Sequence, residues 1–333
     1  MSHDAQTIIQ LLGDAPIGTI TSVEPSGSGY ASAAYKVVSD KGTFIALTQK
    51  SGSIAPPNYA YHFAILQTLE SIKYPFAPKA IYIDPQESLI LMSQVGGQPF
   101  MWVNDAPEDQ QKQAVKTLVT ALLDLRDASF SMCAEVYHKL SGKELETTTL
   151  QKNVQLYMTD WLKLAQTGQP DPELTSWVKP KVAACEAFAA QLKPGKQVVL
   201  GHGDTSEGNI LLTDDLRLHL IDWDSSSFNQ FPDGWDDFGV AYLMNHVPLF
   251  QKFRPLVTGL VSERCGLGVD ELENRIFRQQ ENIKLGDIMW AYMMHARAQT
   301  GEIQGKPDKF MAIARARIDD YEKTFAANSF LLD

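Results

Sequence analysis

Near residue 95 the hydrophobic pattern changes its period, and this change constrains the class of fold more than any other feature of the chain. Before it, short β-type runs alternate with turn residues. Tyr35-Lys36-Val37-Val38 and Thr43-Phe44-Ile45-Ala46-Leu47 flank Ser39-Asp40-Lys41-Gly42, which predicts one hairpin. Ala80-Ile81-Tyr82-Ile83 and Ser88-Leu89-Ile90-Leu91-Met92 flank Asp84-Pro85, which predicts a second. Helical spacing covers residues 5–12, and again 60–72, where Phe63, Leu66 and Leu69 share a side. The first part reads as a small antiparallel sheet with one helix laid on it.

After Val95-Gly96-Gly97 the helical period takes over. Asp105-Ala106-Pro107-Glu108 reads as a helix start, with an Asn/Asp cap and an early proline. Val115, Leu118, Leu122 and Leu125 then recur at three- and four-residue steps, and further helices are predicted near 149–166, 173–192, 270–298 and 307–326. In the last, Phe310, Ile313, Ile318, Tyr321 and Phe325 form the apolar stripe. A compact β-rich segment at 198–222 interrupts these helices. The expectation is an α+β, bilobal chain: a β-rich lobe at 1–95 and a larger, mainly helical lobe at 96–333, with a ligand cleft between them.

Composition narrows the function. With 333 residues, 44% of them hydrophobic, the chain can build its core without staples. Cys133, Cys185 and Cys265 are scattered, with no metal-ligand spacing, so neither a disulfide framework nor a zinc site is indicated. A net charge of −11 disfavours nucleic acid and anionic membranes as partners and is compatible with a cationic small molecule. No apolar run approaches the roughly 18 residues of a spanning helix, and the first residues lack the basic and apolar regions of a leader. A cytoplasmic protein is expected.

Chemistry concentrates in 198–237, VVLGHGDTSEGNILLTDDLRLHLIDWDSSSFNQFPDGWDD. Asn209-Ile210-Leu211-Leu212 and Arg217-Leu218-His219-Leu220-Ile221 flank a polar turn, Thr213-Asp214-Asp215. Paired as an antiparallel hairpin, they bring Asn209 next to Asp222. An amide oxygen beside a carboxylate suits a hard cation such as Mg²⁺, which takes one or two protein oxygens together with phosphate and water. Asp204, five residues before Asn209, can reach a hydroxyl held in front of a metal-bound phosphate. The pattern points to a metal-assisted transfer.

His202-Gly203-Asp204-x4-Asn209 followed by Ile221-Asp222-Trp223-Asp224 resembles the signature of the aminoglycoside phosphotransferase and choline kinase superfamily, whose fold is that of the protein kinases. The resemblance implies a small-molecule kinase that passes the γ-phosphoryl group of ATP or GTP to a hydroxyl. It implies Asp204 as the residue that orients the hydroxyl and accepts its proton, and Asn209 and Asp222 as the Mg²⁺ ligands. Asp224 meets a second metal or the substrate, or is a solvated acid. His202 reads as a structural loop residue. Ser26-Gly27-Ser28-Gly29 and the following Tyr30-Ala31-Ser32 look like the family's glycine-bearing loop, giving Ser28 and Gly29 to the phosphates; the plainer reading is an ordinary turn. Ser93, Gln94 and Val95 match the inter-lobe hinge whose backbone meets the purine edge, or an ordinary edge strand and linker. Asp237 corresponds to the residue that braces the catalytic loop.

The family normally sets a Lys or Arg on the third strand against a Glu on the next helix. Here Thr43-Phe44-Ile45-Ala46-Leu47-Thr48-Gln49 has no basic residue, and Lys50 is the nearest, with Lys36 an alternative on the preceding strand. His62 falls where the Glu is expected, and Leu125-Arg126-Asp127 stands where the family has a His. Two readings follow: a small-molecule kinase whose acceptor is an amino alcohol or aminated sugar, and a pseudokinase that senses nucleotide or binds a protein. Trp235, Trp290 and Tyr292 offer aromatic faces for such an acceptor, or belong to the core.

Overall fold

The structure is a computed structural model that describes residues 4–28, 32–49, 57–231, 238–303 and 305–325. Two compact units divide the chain: 1–146 with 199–227, and 147–198 with 228–333. Packing thus cuts the chain at other points than the change of period near 95, and the β-rich segment of the helical half joins the N-terminal unit.

In the first unit, helix α1 (Ala5–Leu11) starts where the Asp4 carboxylate accepts the Thr7 N–H at 2.8 Å. Strands β1 (Ile20–Ser28), β2 (Ser32–Ser39), β3 (Gly42–Gln49), β4 (Ala80–Ile83) and β5 (Leu89–Ser93) form an antiparallel sheet in the order β1-β2-β3-β5-β4. Both expected hairpins are present. Ser39 pairs with Gly42 across the first turn. The second turn is held by Asp84, whose carboxylate accepts the N–H groups of Gln86 and Ser88. Alternation along β2 buries Ala33, Tyr35 and Val37, which join Ala46, Leu89 and Leu91, Ile8 of α1 and Leu12 just after it in one core. Each such aliphatic or aromatic side chain contributes about 1.5–3 kcal/mol by leaving water.

Helix α2 (Tyr59–Ser71) starts at Asn58, whose side chain accepts the Tyr61 N–H at 3.0 Å. Two helices follow in this unit, α3 (Glu108–Asp124) and α4 (Phe130–Ser141), and α2 packs against α4, β4 and β5. The expected cap of α3 is corrected. Asp105 ends a 3₁₀ turn, Pro107 takes the capping position, and no side chain caps the helix. Gln111 instead reaches back, donating to the carbonyls of Asn104 and Ala106.

The remaining strands of this unit are β6 (Gln98–Pro99), β7 (Val199–Gly201), β8 (Ile210–Leu212) and β9 (Leu218–Leu220), with β6-β8-β9 forming a second small sheet. Gly97, at φ +120°, lets this sheet close: a Cβ there would lie 3.0 Å from the Leu212 backbone.

The second unit is mainly helical where described: α5 (Leu150–Val154), α6 (Trp161–Ala165), α7 (Pro172–Gln191), α8 (Phe238–His246), α9 (Pro248–Lys252), α10 (Arg254–Cys265), α11 (Val269–Gln299) and α12 (Pro307–Phe325). A wide π-helical turn, Gln155–Asp160, links α5 to α6 without a break. The helix α11 is the axis, packed by α6, α8, α10 and α12. Tyr292 belongs to its core, with its hydroxyl 2.6 Å from Thr175 Oγ1, so the core reading holds for that aromatic. Trp290 is half-buried, and the Arg317 guanidinium lies 5.6 Å from its ring centre.

Candidate active site

The loop between β7 and β8 carries His202, Gly203, Asp204 and Asn209, and the residues after β9 carry Asp222 and Asp224. Pairing of Ile210 with Leu220 and of Leu212 with Leu218 fixes the hairpin register. The Ile221 N–H continues it by donating to the Asn209 carbonyl at 2.9 Å. Asn209 therefore stands opposite Ile221, with Asp222 the next residue along: the expected neighbours are one position from direct opposition.

Trp223 anchors this arrangement from below. It is fully buried, donates its indole N–H to the Leu220 carbonyl at 2.8 Å, and meets Tyr74 edge-on. The His202 ring lies 4.4 Å from the Trp223 ring, is 2% exposed, and has its pKa pushed down to about 4 by burial, against the opposing pull of the Asp204 charge. Burial thus favours the neutral ring, packed against Trp223. Gly203 is required beside it. At φ +84° its absent Cβ would fall 1.9 Å from the Ser225 carbonyl oxygen.

Asp204 and Asn209 form a directed pair. The Asn209 side-chain nitrogen donates to Asp204 Oδ2 at 2.8 Å and to the Asp204 carbonyl at 3.1 Å. Both partners only accept, so the amide is fixed with nitrogen toward Asp204 and oxygen away from it. The Ser206 N–H donates to Asp204 Oδ1 at 3.3 Å, which holds the carboxylate from its other side.

Asp222 adopts a left-handed conformation, φ 66° and ψ 62°, a strained backbone state for a residue with a side chain. Solvent reaches it, yet protein surrounds it closely. That crowding raises the proton affinity of its carboxyl first by desolvation, then through the negative charges of Asp224 and Asp204. A carboxylate so crowded, one residue beyond the position opposite Asn209, fits a hard divalent cation. Among the described residues no group of three or more His, Cys, Asp or Glu could hold a metal ion.

The other residues singled out in the sequence are more dispersed. Ser28 ends β1, opposite Ala33, while Gly29, Lys50 and Asp237, with Trp235, lie outside the described residues. Ser93 and Gln94 donate their N–H groups to the carbonyls of Lys79 and Thr43, at 2.9 and 3.3 Å. Among the described residues, Val95 alone of these three has an N–H without a backbone partner. On β3 and α2, Thr48 and His62 are fully buried, and among the described residues neither the Thr48 hydroxyl nor either His62 nitrogen has a hydrogen-bond partner. Burial, with a smaller contribution from His202, lowers the His62 pKa to about 4, so this helix position is neutral. Sequence reasoning missed Tyr59. It is 1% exposed, and its hydroxyl sits 3.1 Å from Ser32 Oγ. A tyrosine at a helix start carries no sequence signal of such a contact.

A sequence profile described as the phosphotransferase enzyme family matches residues 22–230, more than half of the chain and all of the loop just described. The chain belongs to the phosphotransferase enzyme family. The enzyme class read from the sequence, a phosphotransferase, stands with it. A search among curated proteins found no match.

Solved structures give this phosphotransferase its fold. A thermostable mutant of the aminoglycoside phosphotransferase APH(4)-Ia is similar at TM-score 0.66 and 11% identity, over 98% of this chain and 100% of that one. The gentamicin complex of APH(2")-IIa is similar at TM-score 0.63 and 14% identity, over 93% and 99%. Choline kinase LicA from Streptococcus pneumoniae is similar at 0.59 and 12%, over 96% and 98%. The α+β, protein-kinase-like bilobal class expected from the sequence is therefore the class of this phosphotransferase.

Proposed function

We propose that the protein is a Mg²⁺-dependent small-molecule kinase that moves the γ-phosphoryl group of ATP or GTP onto a substrate hydroxyl. The observation that carries this reading is the Asp204–Asn209 pair. Its hydrogen bonds turn the Asn209 oxygen away from Asp204 and leave each Asp204 oxygen a lone pair for an incoming hydroxyl. Asn209 and Asp222 would hold the cation, whose charge neutralises the phosphates when bound. Asp204 then orients the acceptor hydroxyl and takes its proton as the phosphoryl group departs. It need not be a strong base, because such transfers rely on position and charge more than on proton abstraction.

The nucleotide is assigned to residues 1–95, with Ser28, Gly29 and Lys50 at the phosphates and the Ser93, Gln94 and Val95 segment at the purine edge. The catalytic loop and acceptor are assigned to 96–333. The net charge of −11 supports a cationic acceptor, an amino alcohol or aminated sugar, and among the relatives in fold one is a complex with gentamicin and another a choline kinase. Among the described residues no helix is long and apolar enough to cross a membrane, which supports work in the cytoplasm.

The test is thermal stability with ATP or GTP, each with and without Mg²⁺, on wild type and Asp222→Ala. A metal-dependent rise in Tm that the variant abolishes is expected. A wild type that binds nucleotide but transfers to no hydroxyl in a broad acceptor panel would favour a second reading, a pseudokinase. One observation supports that alternative: neutral, buried Thr48 and His62 occupy the strand and helix where kinases carry an ion pair.

A further inference from the structure

Asp222 keeps a left-handed backbone, φ 66° and ψ 62°, that a residue with a side chain rarely adopts. Such a state persists only where the surroundings over-determine it, and strain of this kind collects at functional sites. Repulsion adds to the strain, because the negative charges of Asp224 and Asp204 press on the same carboxyl.

What holds Asp222 lies on both sides of it. Before it, the Leu220 carbonyl accepts the Trp223 indole N–H at 2.8 Å, so a closed loop spans Ile221 and Asp222. After it, the 3₁₀ turn Trp223–Ser225 ends at Ser226, which is 4% exposed. The Trp223 carbonyl accepts twice from Ser226, from its N–H at 3.2 Å and from its hydroxyl at 2.6 Å. Both lone pairs of that carbonyl are used within one turn, and the hydroxyl supplies the shorter bond. Gly203 packs against the same backbone: a Cβ there would lie 1.9 Å from the Ser225 oxygen and 3.2 Å from the Ser226 nitrogen. The turn therefore meets the catalytic loop one residue before Asp204.

We propose that Ser226 is a positioning residue, whose hydroxyl locks the turn that keeps Asp222 left-handed beside the catalytic loop before the cation arrives. This inference rests on the Mg²⁺-dependent kinase reading and extends it to a residue not assigned to metal, nucleotide or acceptor. Without the hydroxyl, Asp222 is free to relax toward an ordinary negative φ, which re-aims its side chain and eases its repulsion from Asp224 and Asp204. Binding of the cation must then restore the strained state, and the loss of preorganisation appears as weaker metal binding.

The experiment is a Mg²⁺ titration of the full-length protein at saturating AMP-PNP, a non-hydrolysable ATP analogue, read as the rise in Tm with steady-state kinetics beside it. Wild type, Ser226→Ala and Ser226→Thr are compared with Thr258→Val, which removes a buried hydroxyl from α10. Ser226→Ala should need about fivefold more Mg²⁺ for half of the rise, the worth of one buried hydrogen bond. Its kcat should fall with the acceptor KM unchanged. Ser226→Thr keeps the hydroxyl and should restore the midpoint, even where its extra methyl lowers the metal-free Tm. Thr258→Val should lower Tm and leave the midpoint alone. Should Ser226→Ala not fold, Ser226→Cys, a far weaker donor of similar size, reads the same midpoint. A midpoint unmoved by loss of the hydroxyl, or moved equally by Thr258→Val, would overturn the proposal and leave Ser226 a structural tie. A wild type that the magnesium complex stabilises but that phosphorylates nothing would sink the kinase reading alone. A wild type that Mg²⁺ and nucleotide together do not stabilise would sink both.

Discussion

His246 Nε2 lies 2.5 Å from Asp287 Oδ2, while its Nδ1 lies 2.9 Å from the Tyr242 carbonyl oxygen, so the ring joins the end of α8 to the middle of α11. A carbonyl can only accept, which puts a proton on Nδ1, and the carboxylate calls for one on Nε2. This geometry favours the imidazolium. Burial alone would lower its pKa, but the bond and charge of Asp287, with the Tyr242 carbonyl, overcome burial and the opposing Arg317 charge, and the net shift is upward. A raised folded pKa means stability that is complete below the unfolded value, about 6.5, and is lost as pH rises through the folded value. Asp287→Asn should therefore lower stability by about 1 to 2 kcal/mol at pH 6 and by clearly less at pH 9. Denaturant melts at the two pH values check this, and an equal loss at both would refute it.

Gly203→Ala should be among the most damaging small substitutions in the chain. Its methyl would meet the Ser225 carbonyl, a backbone group that cannot swing aside, and the φ of +84° adds strain of its own. A loss of more than about 2 kcal/mol, together with loss of transfer activity, is expected. Chemical denaturation and a coupled kinase assay give both numbers. A wild-type melting curve would show that the loop has another way to close.

Asp222→Asn should separate stability from function. It removes one of three crowded carboxylates and places asparagine, the better left-handed residue, at φ 66°. The metal-free variant should melt higher, on the order of 2 °C, while its Mg²⁺-nucleotide stabilisation disappears. A lower Tm without metal would mean that Asp222 is held by contacts that outweigh its crowding.

His62→Leu should stabilise the protein by about 1 kcal/mol, since it removes two buried ring nitrogens that have no partner. His62→Glu, which restores the usual kinase residue, should destabilise it instead by several kcal/mol, because the described part of β3 offers no cation to meet the buried charge. Thermal melts of both variants decide the matter. Stabilisation by the glutamate would reveal a cation reaching this position.

Local chemistry was legible in the sequence where the signal was local. The turn Ser39-Asp40-Lys41-Gly42 and the hairpin from Asn209 to Ile221 stand as read, because turn residues and apolar alternation act over a few positions. Helix α3 has its start three residues beyond Asp105, since Pro107 takes the capping position and Gln111 ties the preceding turn by donating to the Asn104 and Ala106 carbonyls, which no N-terminal motif announces. Helices α4, α8, α9 and α10 were not anticipated; they are short, and α8 is apolar nearly all round, so no periodic stripe marks it. At the site, Asp204 and Asn209 were visible as a spacing, whereas the Tyr59–Ser32 pair joins residues 27 positions apart and depends on packing alone.

The wide turn at Gln155–Asp160 has a consequence for how the chain tolerates changes in length. Leu150, Val154, Met158 and Leu162 are buried at strict four-residue steps, which on a regular α-helix would drift about 40° per step away from a common face. The looser winding cancels part of that drift. Deleting any one residue from this stretch would rotate Leu162 and Ala165 by about 100° out of the core. Substitutions there should be absorbed far more readily than a missing codon.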